Sequence, residues 1–509
     1  MATRFVTARR RGLALAMVTF LLVGPALRGQ AVNEEGCDFN GDGADDLAIG
    51  APRFLVNEVE DAGTVVVIYG SNSGLDNDDI QWWSQATSGI AGVPEEFDRF
   101  GATVACGDFN ADGDSDLVIG APFEAIGANQ EAGQVHVIYG SSSGLAATGD
   151  QVWHVGVGGV LGALGETGAF GEALSVGDFD GDGTDDLAVG SLSLGGLSGA
   201  VNIIYGGAGG LAVTGNQRFF QAVDDSSDRF ADSLAAGDFD GDDFDDLAIG
   251  VPGFPVLGSV RAGLTYVVYG SVVGLDANGA DVWSQASTGI KGSPASDELF
   301  GDSLSGGDVN GDGVDDLAVG IPGDRVSSVA AGAVAIILGS ASGLTDVSDE
   351  LWNQDVPGVQ LGADFVDRFG GTVLLADLNE DGFADLIEGN TGGRGSVQIL
   401  FGTVTGLTAA GDLVISQDIA GIPGDPATDD MVGSSLHTSD VDGDGLIDLA
   451  IGACNDADGG LRPGTVIVIP SVAAGFGQSE LVAPTSFGLS SEDDEFGQVQ
   501  GEGTCPLAG

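Results

Sequence analysis

The stretch DFDGDGTDDLAVG, residues 178 to 190, recurs at six other places, and this repetition limits the possible folds more than any other feature of the chain. The copies begin at Asp38, Asp108, Asp178, Asp238, Asp308, Asp377 and Asp440, at steps of 70, 70, 60, 70, 69 and 63 residues. A period this regular marks an array of one unit whose copies cover one another's apolar faces, rather than seven separate domains.

Each copy is a loop running into a strand. Alternate oxygen-bearing side chains, folded back by a glycine turn at position 6, bring several hard oxygens around one point, which suits calcium better than a softer ion. The side-chain ligands expected at positions 1, 3, 5 and 9 are Asp38, Asn40, Asp42 and Asp46; Asp108, Asn110, Asp112 and Asp116; Asp178, Asp180, Asp182 and Asp186; Asp238, Asp240, Asp242 and Asp246; Asp308, Asn310, Asp312 and Asp316; Asp377, Asn379, Asp381 and Asp385; and Asp440, Asp442, Asp444 and Asp448. About seven Ca2+ sites follow. In the fourth loop Asp243 replaces the glycine and must accept a positive φ, which Asp tolerates better than most residues. The competing reading is an Asx-turn without metal. An EF-hand fits worse, because a Glu at position 12 is missing and strands flank the loop.

Around each loop lie four short apolar segments. In the second copy Phe100-Gly101 opens a strand, Leu117 to Gly120 form the next, Val135 to Tyr139 the third, and Trp153 marks the fourth. The opening Phe returns eight residues before the loop at Phe170, Phe230, Phe300 and Phe369, with Val432 in the last copy. Four strands per copy make one blade of a β-propeller, and seven copies can close a ring. The predicted fold is therefore all-β, a single seven-bladed propeller over residues 37–509. The first loop has no such strand before it, while Phe496-Gly497 begins one with no loop after it, so the last strand is expected to complete the first blade. That handover would bring Cys505 to Cys37 for a disulfide, leaving Cys106 and Cys454 unpaired.

The FG opening, the DxDxDGxxDL loop and the strand ending IGAP (Ile49 to Pro52, Ile119 to Pro122) resemble FG-GAP repeats, the units of the propeller at the head of integrin α subunits and of bacterial relatives. The resemblance runs over roughly residues 37 to 503. It weakens at Gly190-Ser191-Leu192, at Glu388 to Asn390, and at Ala231, which replaces the opening glycine of the fourth copy. It implies a binding module, but the integrin legs and membrane helix have no counterpart here, so membership of a two-chain receptor is not implied.

Residues 1–31 combine Arg4, Arg9, Arg10 and Arg11 with an apolar run from Leu13 to Val23 and small residues near Ala31, the pattern of a secretory signal peptide. Beyond it, ten Lys and Arg stand against 77 Asp and Glu, a formal charge of −67. A chain so acidic repels nucleic acid and anionic lipid. No further apolar run is long enough to span a membrane. A secreted or cell-surface, monomeric protein is expected.

Catalytic constellations are sparse. His136, His154 and His437 fall on different blades, and no nucleophile elbow, HExxH or phosphate loop occurs. The five tryptophans, Trp82, Trp83, Trp153, Trp283 and Trp352, mark matching strand positions and read as packing between blades rather than as a carbohydrate platform. The chain is accordingly expected not to be an enzyme, but to bind a protein or glycan through loops on the face opposite the calcium. These are residues 51–62, 121–132, 251–262 and 321–331, with 86–98, 155–168, 286–298 and 354–368. The alternatives are an extracellular hydrolase or lyase on a propeller scaffold, and a structural surface protein.

Overall fold

Alternating short apolar runs and turns produce seven four-stranded antiparallel sheets, with no helix among the described residues. The computed structural model describes residues 36–483, except 78, 166–167, 193–198, 222–226, 327–328, 361–366, 393, 420, 425–429, 455–463, 473–474 and 478, together with the strand Gln498–Val499. The proposed signal segment and Cys505 lie outside the described residues.

Blades 2 to 7 are meanders in chain order, innermost strand first. Blade 2 is Thr103–Gly107, Asp116–Ala121, Gln134–Ile138 and Gln151–Trp153, and blade 4 is Leu234–Gly237, Asp246–Val251, Leu264–Tyr269 and Asp276–Trp283. Blade 1 differs. Its strands Leu47–Ala51, Thr64–Ile68 and Ile80–Trp83 are joined on the inner side by Gln498–Val499, with Ile49 opposite Val499 and Gly50 opposite Gln498. The ring thus closes by the handover expected from the ends of the chain.

The FG pair forms a kink ahead of the inner strand. In blade 2 the strand begins only at Thr103, because Arg99 and Gly101 take φ values of 55° and 87°. A Cβ on Gly101 would stand 2.7 Å from the Thr64 carbonyl oxygen of the neighbouring blade. Ala231 accepts the same left-handed conformation at φ 66°, at a cost of about 1 kcal/mol. The kink turns each Phe into the gap between blades. Phe100, Phe170, Phe300 and Phe369 are fully buried, and their N–H groups donate to Ala62, Ala132, Ala262 and Ala331 of the preceding blade at 2.9–3.1 Å. Each such ring contributes about 1.5–3 kcal/mol of hydrophobic stabilisation.

Seven apolar clusters fill the ring. Trp83, Trp283 and Trp352 are buried within three of them, as the packing reading requires. The histidines stay apart. His136 is fully buried in blade 2 beside Gln134 and Asp150, His154 bonds the carbonyl of its own neighbour Val155, and His437 lies on the inner strand of blade 7, where burial lowers its pKa to about 3.

The cysteine pairing departs from expectation. Cys37 is bonded to Cys106, with Cα atoms 5.8 Å apart, and Cys454 is also disulfide-bonded. Neither Cys106 nor Cys454 is a free thiol, and Cys37 is not available to Cys505. The reason lies in the ring: Cys37 immediately precedes the first loop and Cys106 is the last residue but one of the inner strand before the second, and neighbouring blades set these loop entrances side by side. Breaking this bond with the Cys37→Ser/Cys106→Ser pair is expected to cost about 4 kcal/mol in the chain-entropy account of a loop this long. Denaturant unfolding of oxidised and variant protein measures it, and equal midpoints would show that the link adds nothing.

Candidate metal loops and the opposite face

The loops of blades 2 to 7 join the end of an inner strand to the start of the second, and the first loop runs into the corresponding strand Leu47–Ala51, so they share one face of the ring. Three of them bring carboxylate oxygens within 4.8 Å of one another: Asp178, Asp180 and Asp186; Asp238, Asp240 and Asp246; Asp440, Asp442 and Asp448. These are positions 1, 3 and 9. Asp180 Oδ1 and Asp240 Oδ1 are buried there without a hydrogen-bond partner, as is Asn40 Oδ1 in the first loop. Convergent, orphaned hard oxygens fit a divalent cation.

Position 9 does more than face the loop centre. Asp186 accepts N–H groups from Phe179 (3.0 Å) and Gly206 (2.8 Å), and Asp246 from Phe239 (2.8 Å) and Gly270 (2.7 Å), so each ties its loop to the end of the third strand. Burial pushes these carboxyls up, Asp46, Asp116, Asp186 and Asp316 to about 8, Asp246 to about 9, and Asp385 and Asp448 to about 7. A cation among them would offset the cost of their ionisation.

Position 5 stays outside the triads. Asp182 Oδ1 accepts the Thr184 N–H at 3.0 Å, and Asp42, Asp112, Asp242, Asp312 and Asp444 bond residue 7 in the same way. Position 1 accepts two or more loop N–H groups, as Asp178 does from Asp182 (3.1 Å) and Gly183 (2.8 Å). Asx-type bonding and a metal-ready triad therefore coexist in one loop. Where position 3 is Asn, the amide nitrogens of Asn110, Asn310 and Asn379 face Asp116, Asp316 and Asp385. Turning the amide over presents Oδ1 to a cation instead. Asp243 takes φ 69°, close to the 85° of Gly183.

Position 8 is a second device. Asp45 Oδ2 accepts the N–H of Asp440, Asp185 that of Asp108, and Asp245 that of Asp178, each at 2.7 Å, while Asp315 takes that of Asp238 at 3.0 Å. The backbone N–H of each returns to the carbonyl of the same partner at 2.9–3.2 Å. These two-point clasps join successive loops and close blade 7 onto blade 1. The doublets Asp45-Asp46, Asp185-Asp186, Asp245-Asp246 and Asp315-Asp316 were the available signal for them. Blade 2 has Ser115 at this position, and there the Cys37–Cys106 bond supplies the link.

On the opposite face the two expected loop families are bonded to each other, Phe97 N–H to Glu60 O and Arg99 N–H to Asp61 O, Asp297 N–H to Val260 O and Leu299 N–H to Arg261 O. Residues 166–167, 327–328 and 361–366 of these loops lie outside the described residues. Among the described residues, seven arginines sit on this face: Arg53, Arg99, Arg229, Arg261, Arg325, Arg368 and Arg394. Arg229 bridges Asp232 and Asp302, Arg368 reaches Asp302 at 3.6 Å, and Arg99 lies 5.0 Å over the Phe123 ring.

With this geometry in place, the FG-GAP repeat model matches residues 36–68, 100–138, 170–201, 230–268 and 300–337, which are blade 1 from its metal loop and blades 2 to 5 from the FG kink, each into the third strand. The chain carries FG-GAP repeats. Blades 6 and 7 of this FG-GAP propeller fall outside the match; blade 6 carries Glu388-Gly389-Asn390 in its second strand and blade 7 opens on Val432 in place of Phe. Phosphatidylinositol-glycan-specific phospholipase D of Rattus norvegicus is 35% identical over 185 residues, 35% of this chain and 21% of the enzyme. Integrin alpha-7 of Mus musculus is 35% identical over 158 residues, 31% of this chain and 12% of the integrin. The chain thus matches about a fifth or less of these relatives' length. A solved rhamnogalacturonan lyase, YesW, is 11% identical with a TM-score of 0.37, covering 81% of this chain and 70% of that one. The expectation that the chain stands apart from enzymes is overturned: similar repeats form part of a phospholipase D.

Proposed function

We propose that the chain is an exported, calcium-stabilised propeller in which the seven loops hold Ca2+ and the arginine-bearing face recognises an extracellular partner. The observation that carries this reading is the convergence of Asp178, Asp180 and Asp186 with the buried Asp180 Oδ1 left unpaired. Calcium bound there supplies charge balance and rigidity. The chain's own residues hold the face: the clasps fix the angle between blades, and the kinked FG pairs seat the loops above them. The phospholipase D relatives favour a glycan-bearing partner over a bare protein surface. In this reading residues 1–31 direct export, and the ring acts as a monomer at or beyond the cell surface. Among the described residues no helix is long and apolar enough to cross a membrane.

Chelated and reloaded protein assayed for metal content by atomic emission tests the first half, with about seven calcium ions per chain expected. Capture from the organism's own surface fraction, with and without calcium, tests the second. Assay of the captured material for cleavage of its glycan or lipid anchor reads whether the propeller also acts on what it binds. Failure to retain any calcium after reloading would remove the proposal.

A further inference from the structure

On the outer rim, between the last strand of blade 4 and a turn of blade 5, lies an open groove of about 460 Å3 lined by Asp281, Val282, Trp283, Ser287, Thr288, Leu344, Thr345 and Asp346. Trp283 is 8% exposed, and its indole Nε1 is buried with no hydrogen-bond partner. Sibling blades show where this N–H normally goes. Trp153 donates to Gln151 at 3.3 Å and Trp352 to Glu350 at 2.6 Å, in both cases the side chain two residues earlier on the same strand. In blade 4 that side chain is Asp281, which accepts the Tyr269 hydroxyl at 2.8 Å instead. The Trp283 donor is therefore left over, on a residue that lines the groove.

The geometry points to a binding site for a neutral sugar residue in this groove, distinct from the arginine-bearing face. A buried N–H needs an acceptor, the carboxylates of Asp281 and Asp346 need donors, and a sugar hydroxyl is both. Ser287, Thr288 and Thr345 add hydroxyls of the same dual character, while the exposed Val282, beside the edges of the buried Trp283 and Leu344, offers apolar surface that a sugar's C–H face covers. An anionic ligand is disfavoured, since two carboxylates and no cation line the groove. An ammonium ligand would satisfy the carboxylates but leave the indole N–H unpaired. The groove is not simply a general property of the ring. Blade 1 repeats the segment as IQWWSQATSGI, and Trp83 Nε1 is also unpaired, but Gln81 replaces Asp281 and Ala147 packs on Gly89 where Asp346 packs on Gly289.

The test is titration of the full calcium-loaded chain with lactose, maltose, cellobiose and mannobiose, followed by saturation-transfer NMR and tryptophan fluorescence. Saturating transfer from at least one disaccharide is expected. Trp283→Phe, which keeps an aromatic ring of smaller size and removes the N–H, should weaken that binding about tenfold, the equivalent of one hydrogen bond. Trp83→Phe should leave it unchanged. Asp346→Ala, on an exposed turn, gives a second reading free of core packing, and a severalfold loss is expected. Absence of binding by all four sugars, equal binding by Trp283→Phe, or binding of tetramethylammonium in their place would each overturn the assignment.

Discussion

Stripping divalent cations with a chelator is expected to lower the melting temperature on the order of 10 °C. If each loop binds calcium about tenfold below the ambient concentration, linkage supplies roughly 1.4 kcal/mol per site, and on the order of 10 kcal/mol for seven independent sites. That is comparable with the whole net stability of an ordinary domain, about 5 to 15 kcal/mol, and a chain of this size shifts by roughly one to two degrees per kcal/mol. The stripped protein carries a pH signature of its own. Its position-9 carboxyls hold their protons up to about 7 to 9. In the unfolded chain the same groups ionise near about 4. The folded state binds more protons across that window, so its stability is greatest at the acid end and declines as pH rises through those values. Bound cations keep the carboxylates ionised and remove the decline. Calorimetry of stripped and loaded protein at several pH values measures both effects, and identical melting curves would mean that the loops contribute nothing through metal.

The second large effect separates two carboxylates of one loop. Asp186→Ala should cost about 5 kcal/mol, because it abolishes the site and leaves the Phe179 and Gly206 N–H groups buried without an acceptor, at about 1–3 kcal/mol each. Asp182→Ala removes an exposed side chain whose bond is to the nearby Thr184 N–H, and should cost only about 1–2 kcal/mol. Urea unfolding of both variants in calcium and in chelator decides the matter. Equal losses in calcium would show that the position-9 bonds to the third strand do not matter. In chelator the Asp182→Ala deficit should nearly vanish while most of the Asp186→Ala deficit persists.

The ring, its seven blades and its closure were legible because each is written as a local pattern repeated at a fixed step. Phe100 and Phe170 sit eight residues before their loops whatever the blade, and an unmatched FG pair at one end answers an unmatched loop at the other. The disulfide was not legible in the same way. Cys37 and Cys106 are 69 residues apart, and only the side-by-side setting of adjacent loop entrances makes them partners. Reasoning from the two faces of the disc alone treats Cys106 as isolated. The loop residues present the opposite difficulty. Asp182, Asp185 and Asp186 are one residue type within five positions, yet one caps its own turn, one clasps the preceding loop and one reaches the third strand. Identical side chains carry no mark of which neighbour each will meet, so the division of labour appears only once the blades are packed. The FG glycine is an intermediate case: its need for a left-handed φ is visible in its recurrence, but the kink's role in seating Phe between blades is not.

The segregation of arginines from the acidic loops makes the disc electrically polar. At long range its net negative charge repels other anions, but screening in physiological salt confines that repulsion to about 8 Å. Inside that distance the two ends differ in degree: one presents the carboxylate loops, while at the other Arg229, Arg261 and Arg394 sit against Asp232, Asp297 and Asp418, so an approaching acidic surface is repelled less by the arginine end and meets it first. Docking would then be governed by orientation before touch. Its association rate should rise as salt is added and the net repulsion is screened, while the dissociation rate, set by the contacts finally made, changes little.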